Sequence, residues 1–152
     1  MFEKVLYPTD FSEVSKKALG YLRGLKNAGT EKVIVLRVIN DKRAKTIYQG
    51  IALAGKETAF FLKDIYEKLL EEASREVNPI ESELTQAGLT VKVRIEQGVP
   101  QSKILEVAEE EGVSLIVLGS HGRSNLSGML LGSVSDYVIR HAKKPVLVIK
   151  RD

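Results

Sequence analysis

The sequence predicts an α/β protein in which a five-stranded parallel sheet carries helices on both faces. Short apolar segments alternate along the 152 residues with stretches that carry apolar residues at helical spacing. Strict alternation with long connections requires parallel strands joined by helical crossovers. The length suits one domain with one substantial core, and we assign residues 1–152 to a single domain.

The N-terminal segment predicts the first strand and the first helix. Residues 2–7 form a strand that ends at Pro8-Thr9-Asp10. Ser12 or Asp10 can cap the next helix, since short polar side chains accept hydrogen bonds from the N–H groups of a first turn. Apolar residues recur at helical spacing as far as residue 25, and Asn27-Ala28-Gly29 ends the helix.

The next segment predicts a second strand followed by a loop. Residues 32–39 are rich in valine and isoleucine and are apolar on both faces except at Arg37, as in strands covered on both sides. Residues 41–56 have no clear period and contain Gly50 and Gly55. We therefore expect a mobile loop over residues 41–56.

A long helix and an edge strand are predicted after this loop. Residues 57–87 carry apolar side chains at steps of four, and Gly88 ends the helix. Asn78-Pro79 is expected to kink or restart it, because proline disfavours the α conformation in the residue before it. Residues 89–96 alternate between apolar and polar, which predicts a half-exposed strand at a sheet edge.

The C-terminal part of the chain repeats the pattern. A turn at residues 98–100 begins a helix that Gly112 ends, and residues 114–118 form another strand buried on both sides. A glycine-rich loop, a helix over residues 133–142 and a final strand over residues 145–150 follow. Such sheets bind ligands beyond the carboxyl ends of their strands, so function is expected in the loops there.

The loop after the fourth strand has residues suited to anion binding. Glycines occupy positions 119, 122, 128 and 132, in a spacing that fits neither a Walker A loop nor a GxGxxG motif, and Ser133 begins the next helix. Glycines let the backbone approach a ligand, and the N–H groups of a first helical turn attract phosphate. Ser133 and Ser135 add hydroxyl donors, and Arg123 adds a positive charge. Glycines that only make turns and serines that only cap a helix would explain the segment equally well.

Asp10 follows the first strand and enters the same crevice if the first and fourth strands are neighbours. It can bind the polar edge of a nucleoside. It can also act as a helix N-cap, the commoner use of aspartate before a helix. One carboxylate is able to do both.

The two strand ends resemble those of the universal stress protein family, in its ATP-binding branch. The resemblance is carried by Pro8-Thr9-Asp10 and by Gly119-x2-Gly122-x9-Gly132-Ser133, with Lys144-Pro145-Val146-Leu147-Val148 at the C-terminal end. It covers essentially the whole chain and is weakest at residues 41–56. It implies an open, Rossmann-like nucleotide-binding sheet and a regulatory switch in the stress response that depends on ATP.

The resemblance also implies which residues bind ATP. Asp10 and the backbone around Val38 would hold adenine, Pro8 and Gly119 would lie against the ribose, and the glycine-rich segment would surround the phosphates. The full set is Pro8, Thr9, Asp10, Val38, Gly119, His121, Gly122, Arg123, Gly132, Ser133, Val134 and Ser135. Mg²⁺ or Mn²⁺ would be held mainly by the ATP phosphates and not by protein side chains.

Neither histidine is assigned a catalytic role. His121 lies between glycines, where it would orient the loop or touch phosphate rather than activate water. His141, near the end of the last helix, has a structural role beside the helix dipole. We expect a nucleotide-binding switch rather than a dedicated enzyme, with ATP hydrolysis that is slow or needs a partner.

Two other functions are compatible with the sequence. One is a slow ATPase or phosphotransferase, which ATP turnover abolished by His121→Ala or Asp10→Ala would support. The other is an interaction module with a purely structural glycine segment, in which Gly132→Val and Ser133→Ala would leave binding unchanged. We rank both below the ATP-dependent switch.

Composition excludes several classes of protein. The absence of cysteine excludes disulfides, thiolate catalysis and cysteine-ligated metal sites. The 23 Lys+Arg and 20 Asp+Glu residues are interspersed, so the net charge of +3 indicates a mixed surface and no nucleic-acid partner. The apolar runs are too short to span a bilayer and no signal peptide precedes the first strand, so we expect a cytoplasmic protein without a membrane partner.

The last strand also predicts an assembly. Val146–Ile149 is apolar on both faces yet is expected at a sheet edge, and bare edges are usually covered or paired. Its own helices could shield it, but the resemblance implies pairing with a second copy. A homodimer through this strand is therefore expected, and an additional protein partner stays open.

Overall fold

The computed structural model describes residues 1–53, 59–121 and 131–150, and over residues 59–62 it describes the backbone alone. The predicted alternation of strands and helices is confirmed, with one helix more than predicted between the second and third strands. In chain order the elements are β1 (Lys4–Pro8), α1 (Glu13–Leu25), β2 (Lys32–Asn40), α2 (Asp41–Leu53), α3 (Ala59–Gln86), β3 (Thr90–Gly98), α4 (Pro100–Glu111), β4 (Leu115–Gly119), α5 (Ser133–His141) and β5 (Val146–Ile149).

The five strands form one parallel sheet in the order β3-β2-β1-β4-β5. β1 lies at the centre, and the strand order reverses there, because the chain continues to β2 on one side and returns to β4 on the other. β3 and β5 are the edge strands, as predicted. The reversal between β1 and β4 marks the place where open α/β sheets bind ligands.

Apolar side chains cover both faces of the sheet, which confirms helices on both sides. On one face the sheet packs against α1 and α3, in a core that contains Val5, Leu22, Val33, Leu84 and Val117. On the other face it packs against α4 and α5, in a second core that contains Leu6, Ile34, Val107, Ile116 and Val138.

The expected loop at residues 41–56 is wrong for its first thirteen residues, which form α2. Asn40 starts this helix, since its Oδ1 accepts a hydrogen bond from the Lys42 N–H at 2.9 Å. Ala44 is fully buried, and Tyr48 and Ile51 pack beside it against α3. These three positions make one helical face, which two glycines obscured in the sequence. The remaining residues of the expected loop lie outside the described part of the chain.

Of the kink or restart predicted for the long helix at Asn78-Pro79, the restart is wrong, because α3 runs through Pro79. Proline removes one helical hydrogen bond. Val77, two residues before Pro79, and Ile80, directly after it, are buried in the first core, and burial of that apolar face offsets the lost bond. In the described ranges of the chain, no helix is both long enough and apolar enough to cross a membrane.

A cluster of charges lies near the amino ends of β1 and β3. Glu111, at the end of α4, has 8% of its side chain exposed and pairs with Lys4 at 3.5 Å, Lys92 at 2.7 Å and Arg94 at 3.2 Å. Arg94 is also paired with two further carboxylates, those of Glu96 and Glu110. The hydrogen bond from Lys92 is the main cause that lowers the pKa of Glu111.

This cluster predicts a loss of stability in acid. A carboxyl group whose pKa is lowered in the folded chain stabilises the fold at pH values above its ordinary pKa of 4.5. That stability is lost as the pH falls through the folded pKa. Glu111→Gln removes the charge that three cations share, so we expect it to cost about 1–2 kcal/mol near neutral pH. Urea unfolding as a function of pH measures this, with the exposed Glu109→Gln as the control. An acid dependence identical in Glu111→Gln and the unaltered protein would contradict the assignment.

Candidate functional site

A cavity of about 370 Å³ opens at the carboxyl ends of β1, β2 and β4. It lies where the strand order reverses, and its volume falls in the range of small-molecule sites. Leu36, Val38, Ile104 and Leu118 give it an apolar floor that continues into the second core. Polar groups reach it from three strand ends and from the first turn of α5.

A buried hydrogen-bond network holds the turn from β1 into α1 beside the cavity. The Tyr7 hydroxyl donates to the Ser15 carbonyl at 2.6 Å, and Ser15 Oγ donates to Thr9 Oγ1 at 2.7 Å. Thr9 Oγ1 also accepts from the Phe11 N–H at 3.1 Å. Burial raises the pKa of Tyr7, so its hydroxyl stays a donor at neutral pH. The turn is thus held by two buried hydrogen bonds and one that is partly buried.

Asp10 lines the cavity from this turn. Its Oδ1 accepts from the Ser12 N–H at 2.9 Å, and Ser12 is the N-cap of α1 through its bond from the Ser15 N–H. Of the two predicted caps, Ser12 is therefore the N-cap, and Asp10 supports it. Phe11 has a φ of +62°, a left-handed conformation that bulky residues rarely adopt.

β2 extends past the end of β1, so backbone groups of β2 face the cavity. Pairing with β1 ends at Pro8 opposite Leu36, and the Thr9 N–H then bonds the Leu36 carbonyl at 2.9 Å. Val38 lies two residues further along β2, so its N–H and C=O point to the same side of the strand as those of Leu36, past the end of β1. Arg37 Nη1 donates to the Val38 carbonyl at 2.9 Å.

Gly119 ends β4 directly beneath the first turn of α1. A Cβ atom at this position would lie 2.8 Å from Val14 Cγ1 and 3.4 Å from the Ser15 nitrogen. The Gly119 carbonyl accepts a hydrogen bond from Ser135 Oγ at 2.6 Å, which ties α5 to β4. Glycine is therefore needed here for helix packing, and the Ser135 hydroxyl hydrogen is used within the protein and not offered to a ligand.

The amino end of α5 forms the opposite wall of the cavity. Its N-cap, Gly132, makes no side-chain cap bond, and the Gly132 N–H donates to the Ser120 carbonyl at 2.7 Å. His121 is 8% exposed, with Nδ1 2.8 Å from Ser120 Oγ. The positive end of the helix dipole and the N–H groups of the first turn suit an anion.

The cavity brings together most of the predicted site. Nine of the predicted residues line it, namely Pro8, Thr9, Asp10, Val38, Gly119, His121, Ser133, Val134 and Ser135. Gly132 lies next to this set as the N-cap of α5. Gly122 and Arg123 lie outside the described residues. Within those residues, no group of three or more metal-ligating side chains could hold an ion.

Several residues that line the cavity were not predicted from the sequence. The polar ones are Ser15, Arg37, Asn40 and Arg43. Arg43 depends on α2, which the sequence did not predict. A signal existed for Arg37, because a charge inside a buried strand requires polar surroundings. His141 is not part of the cavity wall, and its Nδ1 lies 2.9 Å from the Tyr137 carbonyl at the end of α5.

Comparison with solved structures identifies proteins of the same fold. The structure of hypothetical protein MJ0577 matches with a TM-score of 0.87 at 41% identity, over 100% of this chain and 98% of that chain. The structure of hypothetical protein PH0823 matches with a TM-score of 0.75 at 40% identity, over 99% and 98%. A universal stress protein in complex with cAMP matches with a TM-score of 0.64, over 99% and 98%; at 22% identity it shows the fold alone.

Sequence comparison identifies the family. The universal stress protein MJ0577 of Methanocaldococcus jannaschii is 42% identical to this chain, over 99% of this chain and 96% of the relative. The model of the universal stress protein family matches residues 1–150. The chain therefore belongs to the universal stress protein family.

Proposed function

We propose that the protein binds ATP in the cavity at the carboxyl ends of β1, β2 and β4, and that it acts as a nucleotide-dependent regulatory switch in the cytoplasmic stress response. One observation carries the proposal: the Asp10 turn, the Val38 backbone and the first turn of α5 meet in a single cavity. These groups match the polar edge of a nucleoside and a chain of phosphates. Membership of the family supports the role in stress.

The adenine end of the ligand would lie against β2. The Val38 N–H can donate to a ring nitrogen, and the Val38 carbonyl can accept from the amino group. The Asp10 carboxylate lines the same cavity and can accept from the nucleoside. Pro8 and Gly119, at the ends of β1 and β4, would lie against the ribose between them.

The phosphates would lie at the amino end of α5. Ser133 and Val134, which follow the N-cap Gly132, supply the N–H groups of the first turn of α5. Gly122 and Arg123 of the preceding segment would also lie by the phosphates, where Arg123 would add a positive charge. Mg²⁺ or Mn²⁺ would be bound mainly by the phosphates. His121 would orient the loop beside them.

ATP with Mg²⁺ should raise the melting temperature. A ligand at about 100-fold its Kd adds about 2.7 kcal/mol, which corresponds to roughly 5–10 °C for a chain of this size. Asp10→Asn keeps the acceptor for the Ser12 N–H but removes the charge, so we expect a smaller shift, whereas the exposed Glu13→Gln should respond like the unaltered protein. A melting temperature that ignores millimolar ATP would refute ATP binding.

Native mass spectrometry distinguishes a nucleotide-binding switch from a slow ATPase by the nucleotide that the protein retains. Protein purified without added nucleotide is expected to retain ATP and a divalent ion. Retained ADP would favour a slow ATPase or phosphotransferase in which His121 takes part. Turnover that survives His121→Ala and Asp10→Ala would exclude these side chains as its source.

We also propose that two copies pair along β5. This edge strand pairs with β4, and three of its four residues are partly exposed. Val148→Lys places a charge on the strand, so we expect it to convert a dimer into a monomer in light scattering. Thr90→Lys on the opposite edge strand is the control and should leave the dimer intact. A monomeric unaltered protein at micromolar concentration would contradict pairing.

A further inference from the structure

We propose that Ser120 holds His121 in the tautomer that carries its proton on Nε2, so that His121 is a hydrogen-bond donor at the nucleotide site and not the base of an ATPase. The inference rests on the proposed function, because it concerns the fate of bound ATP. Ser120 is not part of the cavity wall, whereas His121 is. Ser120 is therefore a positioning residue that acts through His121.

The backbone of Ser120 is fixed where three elements meet. Ser120 directly follows β4, and only 1% of it is exposed. Its N–H donates to the Ile149 carbonyl of β5 at 2.8 Å. Its carbonyl accepts from the N–H of Gly132, the N-cap of α5, at 2.7 Å. The side chain of Ser120 therefore starts from a fixed point, from which its hydroxyl reaches the His121 ring.

The hydroxyl of Ser120 decides which ring nitrogen of His121 carries the proton. Ser120 Oγ lies 2.8 Å from His121 Nδ1, and both residues are buried. Among the residues that the structure describes, Nδ1 is the only hydrogen-bond partner of this Oγ. A buried hydroxyl hydrogen needs an acceptor, and the lone pair of Nδ1 is the one within reach. Ser120 therefore donates, and the proton of the neutral ring lies on Nε2.

His141, the second histidine of the chain, has the opposite arrangement. Its Nδ1 lies 2.9 Å from the Tyr137 carbonyl. A carbonyl oxygen offers lone pairs and no hydrogen, so here Nδ1 must carry the proton. The two histidines are thus expected to be opposite tautomers when both are neutral, and His141 provides an internal reference for His121.

A proton on Nε2 prevents His121 from acting as a general base. A base that activates water needs a lone pair on the nitrogen that faces the water. In a catalytic triad an aspartate accepts from Nδ1–H and leaves the lone pair on Nε2, whereas Ser120 donates to Nδ1 and leaves an N–H on Nε2. His121 lines the same cavity as Ser133, where the phosphates would lie. It therefore cannot take a proton from water that attacks the γ-phosphate, which favours retention of bound ATP.

Nitrogen-15 NMR of the full chain without nucleotide tests the tautomer. At about pH 8.5, where an ordinary histidine is neutral, we expect at least about tenfold more Nε2–H than Nδ1–H for His121. Nδ1–H should be the main form of His141. Ser120→Ala should lower the His121 ratio by at least about threefold. Ser114→Ala, which removes a hydroxyl that donates to the Lys4 carbonyl at 3.0 Å, should leave that ratio unchanged.

Ser120→Asp reverses the polarity of the contact and tests the consequence for ATP. The carboxylate accepts from Nδ1–H, so Nε2 of His121 should gain the lone pair. Release of phosphate from bound ATP in a single turnover should then rise by at least about tenfold, less than a well-placed general base contributes. In that step the water oxygen bonds to the γ-phosphorus, the bond to the bridging oxygen breaks to leave ADP, and Nε2 takes the water proton. Adding His121→Gln to Ser120→Asp should abolish the gain.

Either form of spectrum can overturn the proposal. It fails if His121 of the unaltered protein carries its proton on Nδ1, or if a folded Ser120→Ala keeps the same ratio of tautomers. It also fails if Ser120→Asp shows the reversed tautomer without faster release of phosphate. Where a variant does not fold, the comparison of His121 with His141 in the unaltered protein decides the assignment. Absence of ATP binding would instead refute the proposed function, and the spectra without nucleotide would still decide the tautomer.

Discussion

Gly119→Ala is expected to lower the melting temperature by several degrees and to weaken nucleotide binding at the same time. The added Cβ would meet Val14 Cγ1 at 2.8 Å, and the branched valine side chain has little freedom to move away. The first turn of α1 must then shift from the end of β4. Overpacking of this kind costs about 1–3 kcal/mol. The same shift displaces Ser15, which belongs to the hydrogen-bond network beside Asp10.

Two variants make the Gly119→Ala result specific. Gly50→Ala, within α2, meets no atom within 4 Å, and we expect it to stabilise the chain by roughly 0.5–1 kcal/mol. Val14→Ala removes the atom that the new Cβ would touch, so the double variant should lose less stability than the two single variants added together. Thermal melting and ATP titration measure both properties. Additive losses in the double variant would show that Val14 is not the obstacle.

Thr9→Val should have an effect of similar size through buried polar groups. Thr9 is 4% exposed, and its hydroxyl accepts hydrogen bonds from Ser15 Oγ and from the Phe11 N–H. Valine has the same shape but no acceptor, so the buried Ser15 hydroxyl and the partly buried Phe11 N–H both lose this partner, at about 1–3 kcal/mol. Phe11 would also lose a bond that holds its left-handed conformation, so Asp10 would be less well placed for ATP.

Thr9→Ser is the matched control for this substitution. It keeps the hydroxyl and removes only a methyl group, so we expect stability and ATP affinity close to those of the unaltered protein. Urea unfolding gives the change in the free energy of unfolding, and calorimetry gives the Kd. Equal behaviour of Thr9→Val and Thr9→Ser would mean that the hydroxyl does not hold the turn.

The parts of the fold that depend on local pattern could be predicted from the sequence. Strands such as β2 and β4 are recognisable because both faces are apolar, and β3 because its residues alternate. α2 could not be recognised with the same ease, since only one of its residues, Ala44, is buried, and Gly50 interrupts its helical face. Likewise, the local sequence at Pro79 predicts a break in the helix, but the packing of α3 on the sheet keeps the helix continuous.

The candidate site, too, could be predicted where it depends on local sequence pattern and not where it depends on tertiary packing. Asp10 could be identified because it follows the first strand, and Ser133 because it follows a glycine at the start of a helix. The pairing of β1 with β4 brings both residues to one cavity. The position of Arg37 could not be identified, since it depends on where β1 stops relative to β2. Gly119 also leaves room for the first turn of α1. This role depends on a tertiary contact, which a glycine motif in the sequence does not reveal.

The two edges of the sheet differ in a way that limits how large an assembly can grow. Lys92 and Arg94 of β3 form ion pairs with α4, and Glu96 of the same strand pairs with Arg94, whereas β5 is apolar throughout. Strands that present such charges resist the addition of another strand. A sheet with one receptive edge and one protected edge can join a single like neighbour by a two-fold axis, and the product has protected edges at both ends. In the proposed dimer, growth would therefore stop at a closed pair, because β3 would be the exposed edge strand at both ends.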